Sequence, residues 1–139
     1  IMIGDETDGT VIPQDLGLHW AISKKKDDFI GKRGQQRSHM TDPDRWKLVG
    51  LETLDGGVLP DGAYAVADAN ATAPMKTIGH VTSSYFSPTL QRSIAMALIE
   101  GGQARLGETV SFPLEGDKVV EAKLVSPVFL DAEGKRQNV

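Results

Sequence analysis

From residue 46 onward, turn signals recur roughly every 8–12 residues, and that spacing leaves room for short strands but not for ordinary helices. Trp46–Thr53 alternates apolar and polar residues around Leu48 and Leu51. Asp55-Gly56-Gly57 and Pro60-Asp61-Gly62 follow as turns, because Gly supplies positive φ and Pro presets its own φ. Further strands are expected at 63–67, 76–86 and 91–100, with Ser87-Pro88 and Gly101-Gly102 ending the last two. Segments 109–114 and Val119–Val125 flank Glu115-Gly116-Asp117, a hairpin signal, and Pro127-Val128-Phe129 closes the pattern. Six or seven short strands in this space predict a mainly β fold, either a sandwich or a small antiparallel barrel of Greek-key or jelly-roll kind.

The first 42 residues read differently. Residues 1–17 are acidic and turn-rich, and 18–22 alternate as a short strand would. Asp27 or Asp28 is placed to cap a helix running to about Met40, although Gly31 and Gly34 weaken it. The barrel is therefore expected to follow a partial α+β segment with one helix. Thr41-Asp42-Pro43-Asp44 marks the boundary between a 1–42 piece and a 43–139 barrel domain. Residues 133–138 form a polar tail.

Composition excludes several functions. The chain has no cysteine, so it holds no thiolate metal site, Fe–S cluster or Cys nucleophile. A cysteine-free chain fits a reducing, cytoplasmic compartment. A formal charge of −4 is the wrong sign for a nucleic-acid domain. Lys24-Lys25-Lys26 is offset by Asp27-Asp28 and reads as a solvated turn. No apolar run approaches the ~20 residues of a membrane helix. The opening Ile1-Met2-Ile3, without a leading Met, is expected of a piece cut from a longer protein.

Motifs for chemistry are sparse. His19, His39 and His80 lie too far apart for a helical or finger metal site. The acidic start lacks the first ligand and the bidentate Glu of a calcium loop, so no metal is expected. No phosphate loop or nucleophile elbow occurs. Ser83-Ser84 has no histidine spaced to serve as its base and reads as hydroxyls at a strand end. Trp20, beside His19, suits either core packing or the wall of a flat heteroaromatic ligand. No catalytic residue is assigned.

Strings along nearly the whole chain resemble the C-terminal part of the folate-dependent aminomethyltransferase family. They are Pro13-Gln14-Asp15-Leu16-Gly17-Leu18 with Trp20-Ala21, then Asp28-Phe29-Ile30-Gly31-Lys32 and Lys47-Leu48-Val49-Gly50-Leu51. Ile78-Gly79-His80-Val81-Thr82-Ser83-Ser84, Ser87-Pro88-Thr89-Leu90 and Ile94-Ala95-Met96-Ala97 follow in family order. The family includes the glycine-cleavage T-protein and half of the heterotetrameric sarcosine oxidase alpha subunit. The stretch from Ile3 to Gly17 looks most like the oxidase branch.

The resemblance implies a tetrahydrofolate cavity completed by residues 1–42 and a terminal barrel after them. It implies Trp20 as a cavity wall and Arg37, or Arg33, near the folate glutamate tail. The family's carboxylates for proton transfer and pterin binding fall outside these residues. FAD, FMN and NAD would belong to the full oxidase complex and not to this segment. The implied partners are the rest of the alpha subunit, the other oxidase subunits and folate, with no nucleic acid and no membrane. The family's loop carries Gly where this chain has Ser84, so a position needing positive φ would be strained there.

Overall fold

The computed structural model describes residues 1–137. Asn138, at the end of the polar tail, and Val139, at the end of the expected barrel domain, lie outside the described residues. Among the described residues six strands form: β1 Trp46–Thr53, β2 Tyr64–Val66, β3 Thr77–Ser87, β4 Arg92–Glu100, β5 Thr109–Pro113 and β6 Val119–Val125. They close into an antiparallel barrel in the order β1-β4-β3-β2-β5-β6, with β6 pairing back to β1. Strands β2, β3 and β4 are sequential neighbours, while β1 lies beside β4, which is Greek-key connectivity. The expected barrel is therefore observed.

Period-two alternation explains the wall. Along β6, Val120, Ala122 and Leu124 are buried while Val119, Glu121 and Lys123 face out. Val49, Leu51, Val81, Ala97, Ile99 and Phe112 complete the barrel interior, with Leu59 entering from the β1–β2 connection. The Glu115-Gly116-Asp117 turn holds as read: Gly116 and Asp117 take positive φ, and Leu114 N–H donates to Lys118 O at 2.7 Å.

Strand β1 departs from simple alternation, because Leu48 and Val49 are both buried. Leu48 points outward, opposite Leu98 of β4. The 1–42 segment covers that pair with Leu16, flanked by Val11, Leu18, Trp46 and Met96. A barrel wall wrapped on its outside reads in sequence like a strand buried on both faces.

The 1–42 segment itself corrects two expectations. Residues 18–22 are no strand; His19–Ala21 is a 3-10 turn. The expected helix shrinks to one turn, α1 (Lys32–Gln35), followed by a 3-10 turn at Ser38–Met40. Gly31 precedes α1 with φ +94, so no helix passes through it, and Asp28 accepts only from the neighbouring Phe29 N–H. The segment's only extended pairing is an isolated bridge between Ile3 and Thr7, so its β content is minimal.

Residues 127–129 are also no strand. They form a strap across the outside of β1, made possible by Gly50. A Cβ at Gly50 would sit 2.5 Å from Ser126 O and 2.7 Å from the Phe129 ring. Gly50→Ala should therefore lift the strap and cost about 1–2 kcal/mol. Faster amide exchange across 126–130 in Gly50→Ala would report it, and unchanged exchange there would refute it.

Candidate functional site

The residues singled out in the sequence fall on the segment side of the barrel. Trp20 sits on the 3-10 turn after Leu18 and is 74% exposed. Its indole lines a concavity of about 420 Å³ between the segment and the barrel. Ile1, Leu16 and Leu18 of the segment line it together with Leu48 and Met96 of the barrel wall and Pro127 and Val128 of the strap. The lining is mostly apolar, with Gln103 its longest polar side chain. Trp20 is thus no core residue. A large apolar ring left in solvent beside an apolar hollow suits a flat ligand or a covering surface.

Arg37 and Arg33 are exposed on and just after α1, and neither lines this hollow. The structure does not bring Arg37 and Trp20 together in one pocket. A mostly apolar hollow of this size suits a small flat ligand. No carboxylate borders the hollow, so the paired hydrogen bonds that a pterin edge requires are not supplied by its lining. Among the described residues, no group of His, Cys, Asp and Glu could hold a metal, and no helix is long and apolar enough to cross a membrane.

Two buried carboxylates fix the segment against the barrel, and sequence reasoning missed both roles. Asp15 lies under the segment, and its oxygens take the Arg45 guanidinium, with Nε at 3.1 Å and Nη2 at 2.5 Å. Arg45 also donates to Thr10 O at 2.8 Å and His39 O at 3.2 Å. The Asp15 hydrogen bond raises the Arg45 pKa, against burial, and so favours the charged guanidinium.

Glu6 is fully buried. It accepts the Met2 N–H at 2.6 Å and the Ser83 hydroxyl at 3.1 Å. Burial pushes its carboxyl up, but these hydrogen bonds together hold it below the ordinary 4.5. The Thr82 hydroxyl is buried beside the same carboxylate without completing a hydrogen bond. A folded pKa below the unfolded one means stability that is present above pH 4.5 and lost as pH falls through the lowered value. Glu6→Gln should flatten this acid limb in thermal melts run from about pH 3 to 6. An unchanged limb would show that Glu6 does not carry it.

Ser83 and Ser84 are not strand-end hydroxyls. They lie within β3, buried, just past a bulge where the register against β4 shifts between Val81 and Ser83. Ser84 pairs with Ala95, and its φ is not positive, so the strain feared at this position is absent.

Comparison with known proteins agrees with the fold. Residues 47–131 match the family model described as the glycine cleavage T-protein C-terminal barrel domain. The chain is 41% identical, over 99% of its length, to the sarcosine oxidase subunit alpha of Corynebacterium sp. (strain P-1). It is 35% identical, over 93%, to an aminomethyltransferase of Thermosipho melanesiensis. It spans 14% of the first relative's length and 33% of the second's. The crystal structure of aminomethyltransferase T from Bartonella henselae superposes with a TM-score of 0.71 at 26% identity, covering 89% of this chain and 33% of that one. A closed six-strand barrel in Greek-key order, matched by the family model over almost all of its strands, places the chain in the glycine cleavage T-protein C-terminal barrel family.

Proposed function

We propose that this chain is the terminal barrel and one folate-site wall of a sarcosine-oxidase-type alpha subunit. There, the one-carbon unit from oxidative demethylation of sarcosine is trapped as 5,10-methylenetetrahydrofolate. The observation that carries the reading is identity to sarcosine oxidase alpha subunits across the whole chain, 41% against 35% for the aminomethyltransferase. In this reading residues 1–42 complete the folate-binding domain and 43–139 form the barrel domain. Trp20 packs its ring on the folate and Arg37 reaches its glutamate tail.

The chain's own work is physical rather than chemical. An apolar hollow excludes water, which protects a reactive imine from hydrolysis. The proton-transfer carboxylates and the FAD, FMN and NAD sites lie in other parts of the complex, with the rest of the alpha subunit and its partner subunits. Flavin bound there would supply the amine oxidation. The isolated chain is then catalytically silent, and the whole enzyme works in the cytoplasm.

A glycine-cleavage-type aminomethyltransferase is the second reading, favoured by the 0.71 superposition. Capture of the native assembly through a tag on this chain separates the two. Flavin with sarcosine-dependent peroxide, and methylenetetrahydrofolate when tetrahydrofolate is added, is the expected result. Material without flavin or peroxide would move the assignment to the aminomethyltransferase.

A further inference from the structure

Glu6 is fully buried in a loop whose neighbours are mostly exposed. A carboxylate leaves water only where hydrogen bonds replace its hydration, and two do so here from opposite sides. The Met2 N–H donates to Oε2 at 2.6 Å, and the Ser83 hydroxyl donates to Oε1 at 3.1 Å. The loop is shaped for this. Gly4 takes φ +101, its N–H donates to Thr7 O at 3.0 Å, and Thr7 Oγ1 donates to Met2 O at 3.3 Å. Strand β3 is shaped for it as well. The bulge at Thr82 re-aims the strand and leaves Ser83 opposite outward-facing Met96, on the side covered by the segment. Both Ile1, which adjoins Met2, and Met96 line the Trp20 hollow.

We propose that Glu6 is a positioning residue for the Trp20 hollow, its carboxylate clamping the Ile1–Met2 edge of that hollow to Ser83 on the β3 bulge. The proposal rests on the reading of the hollow as a tetrahydrofolate wall. Ser83 is the receptor of the clamp and Glu6 its pin. Neither touches the ligand, and both act through the edge they hold.

The test uses the intact enzyme that carries this chain, with Glu6→Ala, Glu6→Gln, Ser83→Ala and Trp20→Ala compared. Amide exchange over residues 2–8 should quicken about tenfold in Glu6→Ala and Ser83→Ala, the equivalent of about 1.4 kcal/mol. The KM for tetrahydrofolate should rise about fivefold in the same two variants, with the change in KM rather than kcat. Glu6→Gln keeps the length and an acceptor oxygen, and the Ser83 hydroxyl can accept from its amide, so it should recover most of both losses. Should Glu6→Ala fail to fold, Ser83→Ala, which removes one buried oxygen, gives the same two readouts.

Unaltered exchange over 2–8 overturns the clamp. Faster exchange with an unaltered KM overturns the positioning role, and a raised KM in Trp20→Ala would then leave the folate wall standing. A KM indifferent to Trp20→Ala removes the folate wall itself, and the proposal with it.

Discussion

Gly79→Ala should destabilise the chain by about 3 kcal/mol, the upper end of the cost of overpacking, and lower the melting temperature by about 10 °C. Gly79 pairs with Ile99 of β4 and with Ala65 of β2, so it lies between two strands. A Cβ there would stand 2.1 Å from Leu98 O, 2.7 Å from Ile99 Cδ1 and 2.9 Å from Ile99 Cα. Two of these three atoms belong to the backbone of the adjacent strand and cannot rotate away. Relief needs β3 and β4 to part, and these strands carry the longest ladder in the barrel, eight residue pairs. Paired thermal and urea melts of wild type and variant measure the effect. A loss under about 1 kcal/mol would mean that β3 yields there, contrary to the dense packing of a barrel interior.

Arg45→Ala should cost about 3–5 kcal/mol, the range for breaking a buried ion pair by removing one partner. The Asp15 side chain is 2% exposed and Arg45 17%, so the carboxylate left behind has little water to turn to. Arg45 also holds Thr10 O and His39 O, and its loss frees three points of the segment at once. Asp15→Asn added to Arg45→Ala should recover about 2 kcal/mol of that loss, since it removes the stranded charge. Strict additivity of the two substitutions would refute the pair as the anchor. The surface pairs Lys76–Glu100 and Lys135–Glu133 make the contrast, for exposed pairs contribute about 0–1 kcal/mol.

Much of the barrel was legible because its information is local. Val119–Val125 was bounded correctly by alternation and by the Gly116-Asp117 turn alone. Strands β3 to β5 were placed to within a residue or two, since Pro88, Gly101 and Gly107 punctuate them. The 1–42 segment was not legible in the same way. Its apolar residues have no period, because they fill gaps on the outer face of β1 and β4 rather than one face of a helix. Ile30, within the span expected to be helical, is fully exposed.

The amino-acid order by itself determined a mainly β chain, most of its strands and turns, and its likeness to the folate-dependent aminomethyltransferase family. Period-two patterning and glycine turns act within a few residues and need no partner to be read. Only the tertiary structure decided that Trp20 stands in solvent beside an apolar hollow while Arg37 lies elsewhere. It alone joined Asp15 to Arg45 across 30 residues and Glu6 to Ser83 across 77. A carboxylate is acidic in any sequence. Whether it is hydrated, or buried and holding two parts of a protein together, depends on donors that only the folded chain brings within 3 Å or so of it.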